Sequence, residues 1–106
     1  MTDKIKDVLA ELRSGFDALY GERLERLVLF GSQARGDADT DSDIDVLVVL
    51  REKVNPGEEI ARTGATLTAL SLKYDAVVSC TFISTVRFVT EESPLLLNIR
   101  REGVPV

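Results

Sequence analysis

The chain of 106 residues contains no histidine and a single cysteine, Cys80. Without histidine there is no ordinary zinc constellation, and one cysteine cannot close an internal disulfide. Long apolar runs are also missing: none approaches the roughly 20 residues of a membrane span. The start Met1-Thr2-Asp3-Lys4-Ile5-Lys6-Asp7 has neither the charge pattern nor the apolar stretch of a signal peptide. These absences predict a soluble protein of a reducing, cytoplasmic compartment with no membrane contact. Positive charge is in deficit as well, with 13 basic against 18 acidic residues and a net charge of −5. This argues against broad nucleic-acid binding, which needs a basic face. It leaves room for small nucleotides chelated by cations. With 44% hydrophobic residues, residues 1–106 suffice for one domain with a modest core.

Ile5, Val8, Leu9, Leu12, Phe16 and Leu19 recur at helical steps and predict an amphipathic helix ending near Gly21. The nearly continuous apolar run from Leu24 to Phe30 predicts a buried strand stopped by Gly31. Residues Ala34 to Ser42 read as a helical turn and an exposed polar loop containing Asp37, Asp39 and Asp41. Asp43 is expected to open a second strand, apolar on both faces beyond Asp45 and therefore covered on both sides. Asn55-Pro56-Gly57-Glu58 carries an N-cap, a proline at the first helical position and a glutamate at the third. A helix to about Lys73 follows, with Ile60, Gly64, Leu67 and Leu70 or Ser71 on one face. Asp75 to Ile83, rich in β-branched residues, predicts a third strand that starts with a carboxylate. Ser93-Pro94 caps a last helix, expected to end at Gly103, whose leucines belong mainly to the core. Cys80, among Val78, Thr81 and Phe82, reads as a small buried side chain rather than a reactive thiol.

The chemistry concentrates in Leu29-Phe30-Gly31-Ser32-Gln33-Ala34-Arg35-Gly36 and Ser42-Asp43-Ile44-Asp45-Val46-Leu47. Alternation along a strand puts Asp43 and Asp45 on one face with Cα atoms roughly 7 Å apart. Such paired oxygen ligands suit Mg2+, which takes a few carboxylates supplemented by water and phosphate. Asp75 joins them if the third strand lies beside the second. Three close acids need cations between them, and two metal ions stabilise the attacking and leaving oxygens of an in-line displacement at phosphorus. Gly31 lets a phosphate approach the backbone, Ser32 adds a hydroxyl and N–H groups, and Arg35 either contributes a charged hydrogen bond or stays solvated.

Gly31-Ser32, a ten-residue gap and Asp43-Ile44-Asp45 resemble the signature of the DNA polymerase beta nucleotidyltransferase superfamily. Gly-Ser-x-Ala-Arg-Gly with Ser-Asp-Ile-Asp is similar to its minimal nucleotidyltransferase branch. The resemblance runs from Leu27 to Val104, with Tyr74-Asp75-Ala76-Val77 at the third-acid strand. It implies a compact α/β fold with a short mixed sheet flanked by helices. It further implies that Gly31 and Ser32 hold the triphosphate of ATP or another NTP, that Asp43, Asp45 and Asp75 hold two magnesium ions, and that AMP passes to an acceptor hydroxyl. Relatives of this size pair with HEPN-type toxins, so the resemblance implies an antitoxin acting on a partner tyrosine. A binding module that neutralises or senses without turnover is the rival expectation. On the enzyme reading, the acceptor site is expected to come from a partner or from a second copy in a homo-oligomer.

Overall fold

The computed structural model describes residues 1–38 and 42–106. Helix α1 (Asp3–Tyr20) begins where the Thr2 hydroxyl accepts from the Ile5 N–H, and it ends at Gly21, whose φ of 55° few side chains tolerate. Its buried face is Ile5, Val8, Leu9, Leu12, Phe16 and Tyr20; Leu19, expected there, is largely exposed. A short 3-10 turn (Gly21–Arg23) leads into β1 (Leu24–Phe30), and α2 (Gly31–Arg35) follows at once. The helical turn therefore begins at the Gly-Ser pair, three residues earlier than expected. The expected loop positions Asp39 and Asp41 lie outside the described residues.

Strand β2 (Ile44–Leu50) is buried along Val46–Leu50, as an apolar run covered on both faces should be. Helix α3 (Pro56–Tyr74) is capped by Asn55, whose side chain accepts from the Glu58 N–H at 3.3 Å. Its inward face carries Glu59, Thr63 and Leu70, whereas Ile60 is 61% exposed. The expected inward position of Ile60 is thus corrected by one residue. Glu59 can be buried there because Tyr20 Oη donates to it at 2.7 Å and Arg62 Nε at 3.0 Å, which offsets the desolvation of its charge. Burial and that hydrogen bond to Glu59 push the Tyr20 hydroxyl well above its ordinary pKa.

Strand β3 (Val78–Ser84) starts three residues later than expected; α4 (Thr85–Thr90), α5 (Pro94–Glu102) and β4 (Val104–Pro105) complete the described chain. The sheet order is β3-β2-β1-β4, with β2–β3 parallel and both β1 pairings antiparallel. This is the short mixed sheet with flanking helices that the sequence predicts. Residues of α1 pack with Ile44, Val46, Val48 and Leu50 on one face. On the other, Leu96 and Ile99 of α5 and Phe88 of α4 pack with Leu47, Val49 and Ile83. Of the leucines expected in the core of α5, Leu96 is buried, while Leu95 and Leu97 remain about half exposed.

Candidate nucleotide site

Alternation along β2 assigns its side chains to faces. Ile44, Val46 and Val48 point toward α1 and α3, and Leu47 and Val49 toward α4 and α5. Asp45 shares the second face, at the end of the strand where α2 and the Asp43 segment meet. Asp43, exposed and one residue before the strand, stands close enough to act electrostatically on Asp45. Partial burial, and secondarily the Asp43 charge, hold the Asp45 carboxyl above its ordinary pKa. A cation placed beside the pair would lower that cost.

The Gly-Ser turn is brought to the same carboxylate. Phe30 is the Cα partner of Asp45 across β1 and β2, so the next residue, Gly31, starts α2 directly over it. A Cβ on Gly31 would stand 2.6 Å from Asp45 Oδ2, and Gly31 has φ +74°. Only glycine meets both constraints. Ser32 follows in the first turn of α2, and Gln33 Nε2 donates to the Ser42 carbonyl at 3.3 Å, tying the helix to the start of β2. Arg35 lies 3.3 Å from Asp37 and 3.9 Å from Glu102. Its charge is shared between two acids beside a groove of about 220 Å³ lined by Phe30, Gly31, Arg35, Leu95, Asn98 and Glu102.

Asp75 is placed elsewhere. It is the C-cap of α3, with φ 48° and ψ 54°, a left-handed conformation that aspartate tolerates better than most side chains. It lines a separate depression with Lys4, Ser42 and Ile44, and Lys4 Nζ donates to its backbone carbonyl at 3.2 Å. Asp75 therefore precedes β3 by three residues instead of opening it, which corrects the expected start of that strand. Helix α3 runs through Tyr74, and its cap Asp75, with Ala76 and Val77, forms the turn to Val78, the first residue of β3. Among the described residues no group of three His, Cys, Asp or Glu side chains is placed to hold a metal ion. The β3 residue paired with Asp45 is Ser79, which the sequence reading passed over because parallel register is not visible in one strand's pattern. Cys80 faces the core, where burial pushes its thiol pKa up to about 12, and it plays no part in the site.

At this end of the mixed sheet a glycine is pressed onto a strand carboxylate, with a second carboxylate two residues away. Residues 9–96 match the nucleotidyltransferase domain family, and the chain belongs to it. It is by family a nucleotidyltransferase, an enzyme class that works on nucleoside triphosphates with divalent metal. It is 34% identical over 76 residues, 72% of this chain and 76% of the other, to MJ0141 of Methanocaldococcus jannaschii, named there as a candidate protein adenylyltransferase. Two solved structures share the fold. One, a candidate minimal nucleotidyltransferase, has TM-score 0.61 and 24% identity over 99% of this chain and 97% of that one. The other, a toxin-antitoxin crystallised with AMP-PNP, has TM-score 0.62 and 18% identity over 98% of this chain and 72% of that one.

Proposed function

We propose that this chain is a magnesium-dependent protein adenylyltransferase of a toxin-antitoxin pair, moving AMP from ATP to a hydroxyl on its partner, a tyrosine of a HEPN-type toxin. The observation that carries this reading is the contact of Gly31 with Asp45 beside Asp43. It puts a backbone that phosphate can approach next to two oxygen ligands. The likeness to MJ0141 supports protein as the acceptor. The toxin-antitoxin neighbour supports a protein partner, although its likeness to this chain is one of fold.

Asp43 and Asp45 would hold the metal, which when bound neutralises triphosphate charge and favours attack at phosphorus. Gly31 gives the phosphates their close approach, and the Ser32 hydroxyl supplies a hydrogen bond. Arg35 adds charge at the groove mouth once a phosphate competes with Asp37 for it. The acceptor oxygen bonds to the α-phosphorus, the bond to the bridging oxygen of the β-phosphate breaks, and pyrophosphate leaves. The acceptor proton passes to solvent or to a group of the partner. No covalent protein nucleophile is required, since positioning and charge neutralisation dominate such transfers.

Intact-mass spectrometry of the partner after incubation with this chain, ATP and magnesium tests the reading. A gain of about 329 Da, lost in the Asp43→Asn/Asp45→Asn variant, is the expected result. Neutralisation of the partner by complex formation with no mass gain would instead favour the contact-only antitoxin.

A further inference from the structure

The metal count of the site follows from which side chains flank Asp45 on its own face. In the parallel β2–β3 pairing, Cα partners send their side chains to the same face. Ile44 with Val78, Val46 with Cys80 and Val48 with Phe82 all enter the core beneath α1, whereas Val49 and Ile83 pack together on the α4–α5 face. Asp45 and its partner Ser79 share that second face, with Ser79 exposed. One step outward, just before β3, is Val77, tied to β2 by its carbonyl accepting from the Ile44 N–H at 2.8 Å. One step inward is Thr81, beside the buried Leu47. Across β1, Asp45 is paired with Phe30. A third oxyanion from the sheet would have to stand where Ser79 stands, since Val77 and Phe30 are apolar and Thr81 lies a pair deeper. A neutral hydroxyl there binds a divalent cation far more weakly than a carboxylate and cannot balance a second double charge.

We propose that Ser79 sets the metal stoichiometry of this site: the chain holds one divalent cation with its triphosphate, and a carboxylate at position 79 would let it hold two. The proposal rests on the nucleotidyltransferase reading of the Asp43–Asp45 pair. It makes Ser79 a specificity-determining residue that keeps transfer slow until the acceptor brings its own proton-accepting group. The result is an enzyme that binds nucleotide in isolation and turns it over in its complex.

The test counts Mn2+ by electron paramagnetic resonance at saturating α,β-methylene-ATP, a non-transferable probe, for wild type, Ser79→Ala, Ser79→Asp and Asp43→Asn/Asp45→Asn. One bound Mn2+ per chain in wild type and Ser79→Ala, rising to two in Ser79→Asp, is expected. With ATP, Ser79→Asp should also release pyrophosphate at least about tenfold faster. Two ions in wild type, or one in Ser79→Asp with its circular dichroism unchanged, would overturn the proposal while leaving the nucleotide site standing. Binding in the Asp43→Asn/Asp45→Asn variant equal to wild type, or no nucleotide-dependent Mn2+ in wild type, would overturn the reading of the site itself and this proposal with it.

Discussion

At Gly31 two constraints coincide, a φ of +74° and a Cβ position 2.6 Å from Asp45 Oδ2. A left-handed conformation costs an ordinary residue about 1–2 kcal/mol, and the added methyl also displaces the carboxylate. Gly31→Ala should therefore lower stability in urea denaturation by about that amount and weaken Mg–ATP binding at least about tenfold, a factor worth about 1.4 kcal/mol. Loss of stability with unchanged nucleotide affinity would make the turn structural only. Asp45 gives a pH signature. Its folded pKa lies above the unfolded value because burial and Asp43 disfavour the charge. Between those two values the folded state binds more protons than the unfolded one, so this group makes stability fall as pH rises. In EDTA, Asp45→Asn should be more stable than wild type at neutral pH, with the difference shrinking as pH falls to the ordinary carboxylate range. Equal stabilities throughout would contradict the burial of that charge. Pairing at the residue scale also accounts for Glu59, and not Ile60, facing inward. A helical pattern scores Glu59 as solvent-facing, and its burial depends on the Tyr20 hydroxyl, 39 residues away, together with Arg62.

Among the elements, caps and periodicity made α1, β1, β2, α3 and α5 legible, because each carries its signal within its own residues. The Asn55 and Ser93 caps and the covered run of β2 all stand as the pattern implies. Helix α4 is not among the expected elements, since Thr85-Val86-Arg87-Phe88-Val89-Thr90 is rich in β-branched residues; the Ser84 side chain, accepting from the Arg87 N–H at 3.3 Å, caps it. The two residues of β4 have no sequence pattern at all and exist only as partners of Val28 and Leu29. The end of α3 is legible to within a residue, but the β-branched composition that follows hides where β3 starts, because Asp75 takes an αL cap conformation and not an extended one. Gly103 joins α5 to β4, and there a Cβ would meet the Ile99 carbonyl and Val28 Cγ1, each at 2.5 Å. Backbone cannot yield as a side chain tip can. Gly103→Ala should cost about 2 kcal/mol or more in denaturation by lifting α5 from β1, and a cost under about 0.5 kcal/mol would place α5 outside the cooperative core.

For the whole molecule, the nearness of Asp43, Asp45 and the Gly-Ser turn was readable because the two acids stand two residues apart at the start of β2 and the turn directly follows β1, its antiparallel partner. The third position was not readable, because it depends on which residue of β3 lies beside Asp45, a matter of tertiary register. The fold leaves the pair at one end of β2, beside a groove bordered by α5, and provides no further element to shape an acceptor site among the described residues. Under the proposed function, acceptor recognition falls to the partner. None of the described helices is long and apolar enough to cross a membrane, and the net charge of −5 favours basic surfaces on whatever protein docks.

The most direct test supplies the complex with ATP labelled at either the α- or the γ-phosphorus and follows label into protein. The account predicts incorporation from the α position alone, dependent on magnesium and absent in Asp43→Asn/Asp45→Asn. Label arriving from the γ position, or from the α position undiminished without those two carboxylates, would contradict nucleotidyl transfer at this site.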